Sequence, residues 1–182
     1  PNLTYIDNTD FAHTGELASL LLALQSRTDP AQSTIISYGD VLFNKYIPQS
    51  LCQENDDCVI FVDSNWQEQT SYARLGGFTE CTIPNSRRAF NAKIYLKQVG
   101  DNIPHASIHG VCMGFLKVSP GATKLITNII MELLVDPANH KASISQLLQE
   151  LLKRQYPVRV LYTAGHWLDI NSLDDVVQAG SF

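Results

Sequence analysis

The chain has 182 residues, of which 45% are hydrophobic and 17% charged, a balance that suits one globular domain, residues 1–182, with a substantial core. The formal net charge is -5 with no long run of either sign, which excludes the basic face of a nucleic-acid binder. No apolar run approaches the roughly 20 residues that span a bilayer.

Residues 14–25 space Leu17, Leu20, Leu21 and Leu24 as the buried stripe of an amphipathic helix. Thr14 is the expected cap, and Glu16 sits in the first turn, where the helix dipole favours it. "STIISY" (33–38) reads as a short buried strand, followed at once by Gly39 and Asp40. A polar segment then leads to "CVIFVD" (58–63), a strand ending in a carboxylate. Residues 64–105 are rich in Gly, Pro, Asn and Arg, include Gly76-Gly77, and hold one expected strand, "AKIYLK" (92–97); they form an excursion from the main sheet. "GVCMGFLKVS" (110–119) is a strand with a glycine in its middle. Helices follow at about 121–135 and 144–154, the second opened by a Ser143-x-x-Gln146 capping box and stopped by Pro157. "VRVLYT" (158–163) is the last expected strand, and Ser172-x-x-Asp175 caps a short helix ending near Gly180. Strands separated by helices predict an α/β fold, a three-layer αβα sandwich with a mainly parallel, mixed sheet.

The four cysteines form no CxxC pair. Cys58 and Cys112 lie inside apolar runs and read as core residues, and the pattern points to a reducing, cytoplasmic setting. No GxGxxG follows any strand, which argues against a dinucleotide oxidoreductase.

Asp40, Asp63 and Asp169 all fall at or just after strand ends. In open α/β sheets ligands bind beyond the carboxyl ends of the strands. Magnesium takes carboxylate oxygens, usually from only one or two protein ligands, with phosphates and water completing its shell. Two aspartates from separate strand ends therefore suit a metal–phosphate site. Strand-end aspartates are also common turn formers and caps, so the pattern alone assigns no role.

The segments "SYGDVLF", "VIFVDSNW", "GVCMGFLKVS" and "GHWLDINSLDDVVQAGSF", in that order, resemble the nucleotidyltransferase domain of phosphocholine and aminoethylphosphonate cytidylyltransferases. The same domain type is fused to phosphoenolpyruvate mutases in some phosphonate pathways. The opening "YIDNTDFAHTGELASLLLA" is similar to the family's segment near the nucleobase. The resemblance implies a Rossmann-like fold in which Asp40 and Asp169 are catalytic ligands of Mg²⁺. Asn8, Thr14 and Ser19 lie near the base, and Gly39 allows close approach of the nucleotide. It implies attack of a small phosphorylated amine or a phosphonate on the α-phosphorus of a nucleoside triphosphate, CTP favoured, with release of pyrophosphate. Asp63 and Trp66 are candidate acceptor contacts, Trp66 through cation–π attraction to the amine. Arg87, Arg88, Lys93, Tyr72 and Arg74 are candidates to meet phosphates, whereas His166 reads as a neutral, satisfied side chain.

Two departures accompany the resemblance. The family's opening strand and Gly-rich loop, followed by Arg and Lys, have no counterpart here. The chain therefore looks like the C-terminal two-thirds of the domain, and a further catalytic domain fused upstream is compatible with the family. An open sheet edge or gap is expected where that strand would lie. Second, Val111 stands where the family carries a carboxylate facing the acceptor. The competing expectation is a non-catalytic relative that keeps the fold as a binding or structural module. A nucleotide-sugar glycosyltransferase fits less well, because its usual Asp-x-Asp pair is absent from Tyr38-Gly39-Asp40-Val41-Leu42.

Overall fold

The computed structural model describes residues 3–68, 77–89 and 92–180; Tyr72, Arg74 and Gly76 lie outside them. The chain runs α1 (Glu16–Gln25), β1 (Thr34–Ile36), β2 (Val41–Phe43), α2 (Tyr46–Gln53), β3 (Cys58–Asp63) and β4 (Phe78–Cys81). It continues through β5 (Ile94–Val99), β6 (Gly110–Val118), α3 (Pro120–Val135), α4 (Ile144–Lys153), β7 (Arg159–Thr163), β8 (Trp167–Asp169) and α5 (Leu173–Ala179). Among the described residues no helix is long and apolar enough to cross a membrane.

The two strands that read as continuous apolar runs, β3 and β6, are buried along their whole length. A strand covered on both faces needs no polar side to its alternation. Cys58, Ile60 and Val62 of β3 join a core cluster with Leu17 and Leu20 of α1, Ile126 and Ile129 of α3, and Leu147 and Leu151 of α4. The alternate residues Val59 and Phe61 join a second cluster with Ile47 and Leu51 of α2, Val41 of β2 and Trp167 of β8. Three layers result: α1, α3 and α4 on one face, the sheet, and α2 with the β2–β8 ribbon on the other. Each fully buried leucine or isoleucine stabilises such a core by about 1.5–3 kcal/mol.

The main sheet has the order β1-β6-β3-β7-β5-β4, with β4 also pairing with β6. β1 and β3 are both antiparallel to β6, β3 is parallel to β7, and β5 is antiparallel to both β4 and β7. Four strands (β1, β3, β4 and β7) therefore share one direction, while β5 and β6 run against them. The sheet is mixed, with most strands aligned, although β3–β7 is its one parallel neighbour pair among the described residues. The pairings from β6 through β3, β7, β5 and β4 return to β6, so the excursion curls back onto the strand that follows it. At the other end β1 pairs only with β6 among the described residues.

Local structure departs from the sequence expectation in several places. Thr14 does not cap α1: the N-cap is Gly15, and the Thr14 hydroxyl donates instead to the Asp10 carbonyl at 2.8 Å. The polar segment after Asp40 holds β2 and α2. α2 tolerates Pro48 because proline's missing N–H falls in the first turn, where it would have no helical partner. The excursion contains β4 as well as β5, and β8 follows β7. Cys58 and Cys112 are core residues as expected, 0% and 1% exposed, and all four cysteines are free thiols.

Candidate functional site

β1, β3 and β7 point the same way, so their carboxyl ends open onto one edge. The chain leaving β1 turns at Gly39-Asp40 and enters β2, which pairs antiparallel with β8: Val41 opposite Asp169, Leu42 opposite Leu168, Phe43 opposite Trp167. The Ile170 N–H extends the ladder by donating to the Asp40 carbonyl at 2.8 Å. Asp169 on β8 and Asp40 in the turn that opens β2, 129 positions apart in the chain, are thus brought together by a pair of strands whose ordinary spacing is about 4.8 Å. They are one position out of register. Within a regular ladder that offset sends side chains to opposite faces, but Asp40 lies in the turn before β2, where alternation does not bind it. Asp40 is exposed and Asp169 half-buried.

The "LDINSLDD" segment holds Asp169 in place. The Asn171 side-chain amide donates to Asp169 Oδ2. Asp175 accepts from the Asn171 and Ser172 N–H groups at 2.9 and 2.7 Å and from the Ser172 hydroxyl at 2.8 Å. These hydrogen bonds, Ser172's first, hold the Asp175 carboxyl below the usual carboxylate range. The spacing read as a helix cap is a cap, and it also sets the loop that carries Asp169.

Asp63 lies deeper than the other two aspartates. It is 1% exposed. Its carboxylate accepts from Trp167 Nε1 at 2.8 Å, from the Gly165 N–H at 3.1 Å and from the Asn65 N–H at 2.9 Å. A carboxylate engaged this way anchors the turn that launches β8. Gly165 and His166 both have positive φ, 72° and 65°, so the turn is tight. His166 is exposed, and its ring stands edge-on to Tyr46 at 5.8 Å between centroids. Trp66 is also buried, at 9% exposure, with its ring edge-on to Phe78 and to His105, each at 5.3 Å. It packs as a core side chain in the second cluster. Val111 is 1% exposed within the same cluster.

The three residues expected near the base come together. Asn8 Nδ2 donates to Thr14 Oγ1 and to Ser19 Oγ, each at 3.0 Å. They tie the N-terminal segment to the exposed side of α1. Ser19 also borders a cleft of about 550 Å³ between α1 and β1, whose lining includes Glu16, Ile36, Tyr38 and Gly39. A Cβ built on Gly39 would meet nothing within 4 Å, so the protein itself does not require glycine there.

Of the cationic candidates, Lys93 pairs with Asp56 at 3.1 Å. Asp56 precedes β3, at the sheet edge opposite the aspartates, so Lys93 belongs to another face. Arg87 and Arg88 are exposed on a segment that Asn85 ties to Ser64, the residue after Asp63, at 2.8 Å. They stay on the same side as the aspartates. Among the described residues no three His, Cys, Asp or Glu side chains gather around a space for a metal ion; magnesium shared with phosphates and water asks for only one or two carboxylates. Glu16, Tyr38 and Asn171 escaped the sequence reading. For Glu16 and Tyr38 the signal is contact with a distant element, which no local spacing carries; Asn171 acts locally, on Asp169 two residues before it.

No protein-family model matches the chain, and no curated protein matches it. Solved structures do. An apo UDP-glucose pyrophosphorylase superposes with a TM-score of 0.65 at 13% identity, covering 98% of this chain and 62% of its own. An inositol-1-phosphate CTP transferase from T. maritima gives 0.62 at 16% identity, with 90% and 58% covered. A CTP:phosphocholine cytidylyltransferase from Streptococcus pneumoniae gives 0.59 at 12% identity, with 96% and 66% covered. The chain thus spans about 60% of the length of the proteins it matches. What these structures share with it over nearly its whole length is the fold, and that fold is the α/β fold of the nucleotidyltransferases.

Proposed function

We propose that the chain is the metal-binding and base-binding part of a nucleotidyltransferase that transfers a nucleoside monophosphate, CMP favoured, to a small phosphorylated amine or a phosphonate. The observation that carries the reading is the β2–β8 pairing, which makes neighbours of Asp40 and Asp169. Asp40 and Asp169 would hold Mg²⁺, and its charge, when bound, offsets that of the triphosphate. Asn8, Thr14 and Ser19 offer hydrogen-bonding groups beside the cleft for the base. Gly39 leaves the backbone open to close approach. An oxygen of the acceptor attacks the α-phosphorus in line, the bond to the β-phosphate breaks, and pyrophosphate leaves. The acceptor is already an anion, so positioning and charge neutralisation matter more than proton transfer. Free thiols and a magnesium nucleotide fit the cytoplasm.

The test is Mn²⁺ binding in the presence of CTP, read by electron paramagnetic resonance. Asp40→Asn and Asp169→Asn keep the side-chain shape and lose the charge. Each is expected to weaken binding at least tenfold, with the urea unfolding midpoint nearly unchanged. Gly39→Ala is expected to leave stability unaltered and to weaken CTP alone. Parent-like Mn²⁺ binding in both aspartate variants removes the two-aspartate site. Competition by UTP, ATP and GTP against CTP reads the base.

The second reading, a relative that binds without catalysis, is favoured by one observation: Val111, 1% exposed, stands where the family it resembles carries a carboxylate facing the acceptor.

A further inference from the structure

We infer that Gly114 and Glu16 are positioning residues that clamp the Tyr38 side chain from two sides and so set the Gly39-Asp40 turn. The inference deepens the metal-site reading and rests on it for its consequence, though not for its geometry.

Tyr38 stands two residues before Asp40 and packs against both core clusters. Its ring lies where Gly114 lacks a side chain. A Cβ on Gly114 would come within 2.1 Å of Tyr38 Cδ2 and 2.4 Å of Cε2. Gly114 also has φ 75°, a conformation that costs other residues energy. It interrupts an apolar run, Cys112-Met113-Gly114-Phe115-Leu116, beside the register shift in the β3–β6 ladder between Ile60 and Val62. A central strand gains packing from β-branched or aromatic residues and loses it at glycine, so this glycine is kept for the ring that covers it.

The other end of Tyr38 is fixed as well. Its hydroxyl donates to Glu16 Oε2 at 2.9 Å, and the same oxygen accepts from the Ile144 N–H at 2.9 Å. Glu16 therefore joins the first residue of α1, the first residue of α4 and the segment leading to Asp40. Beyond the clamped ring the chain passes Gly39, where a Cβ would meet nothing within 4 Å, to Asp40, whose carbonyl holds the Ile170 N–H. The turn is thus flanked by two packed side chains, Tyr38 before it and the buried Val41 after it.

The experiment follows amide hydrogen exchange at Ile170 by NMR, with Mn²⁺ affinity and urea unfolding measured alongside. Tyr38→Phe deletes only the hydroxyl, and Gly114→Ala inserts one methyl under the ring. Each is expected to speed Ile170 exchange at least tenfold and to weaken Mn²⁺ binding three- to tenfold. Because both substitutions act through the same ring, Tyr38→Phe/Gly114→Ala is expected to weaken Mn²⁺ binding by less than the product of the two single effects, a non-additivity that independent destabilisation does not produce. Parent-like Ile170 exchange in folded Tyr38→Phe overturns the clamp, even if Gly114→Ala proves too unstable to purify. If exchange rises while Asp40→Asn binds Mn²⁺ like the parent, the clamp stands and the metal-site reading fails.

Discussion

At the scale of single residues, the carboxylates on this edge divide their work by burial. Asp40 is exposed on a turn, and Asp169 is half-buried and held by Asn171. Asp63 is enclosed and receives three N–H donors. A buried carboxylate that satisfies three donors is expensive to delete, because each donor is left desolvated and unpaired. Asp63→Ala is therefore expected to destabilise the fold by about 3 kcal/mol, roughly a 10 °C fall in Tm for a chain of this length. It should also release β8 and weaken Mn²⁺ binding through Asp169. A urea titration showing less than about 0.5 kcal/mol of loss would mean that the Gly165–Trp167 turn stands without it. In sequence the three aspartates look alike, each following an apolar run. What separates them is which backbone amides the fold brings to their oxygens.

At the scale of elements, legibility followed length and burial. α1, α3 and α4 are each ten residues or longer, and the buried Leu17, Leu20 and Leu24 of α1 belong to the stripe expected from their spacing. β3 and β6 were readable because burial on both faces leaves an unbroken apolar run. β2 and β8 have three residues each; neither carries a period, and each exists only because the other is its partner. The motifs pointed to Asp40 and Asp169, yet the ribbon that makes them neighbours has no local signature. The joint at the opposite edge was equally hidden. There Ser119 caps α3 by accepting from the Ala122 N–H at 3.2 Å, and its hydroxyl donates to Asp57. The Tyr156 hydroxyl, from just beyond α4, donates to the same carboxylate at 2.8 Å. These bonds, Ser119's first, hold the Asp57 carboxyl below its usual range. A folded-state value below the unfolded one contributes stability that is fully present above the unfolded pKa, about 4. That contribution is lost as pH falls through the lowered folded value. Asp57→Asn is therefore expected to be less stable than the parent at pH 7 and to lose less of its remaining stability between about pH 4 and pH 2. Urea midpoints that fall in parallel for the two proteins over that window would dismiss Asp57 as a source of acid sensitivity.

At the scale of the whole molecule, charge and the open edge decide what these residues can do alone. The chain carries a net charge of -5, and a nucleoside triphosphate brings about four more negative charges, so their encounter is repulsive unless something local reverses the field. Asp40 and Asp169 do so only through a bound cation. Of the candidate cations among the described residues, Lys93 is paired at the opposite edge, leaving Arg87 and Arg88 on the exposed segment tied to Ser64. Catalysis of phosphoryl transfer draws mainly on preorganised donors around the phosphates. A Gly-rich loop whose N–H groups cradle the phosphates is the usual source, and the 182 residues contain none. Losing one such donor costs about 3 kcal/mol, a hundredfold in rate; lacking the whole loop costs far more. The cleft beside β1, whose outer edge is unpaired among the described residues, is also left for solvent to enter. Residues 1–182 alone are therefore expected to bind CTP weakly and to release no pyrophosphate above background. The measurement incubates the purified chain with Mg²⁺, each nucleoside triphosphate in turn, and phosphocholine or 2-aminoethylphosphonate, and assays pyrophosphate. Release well above background that disappears in Asp40→Asn would show that the carboxylate edge suffices for the chemistry. It would also show that the phosphate-binding donors lie within these residues, with Arg87 and Arg88 the first to substitute.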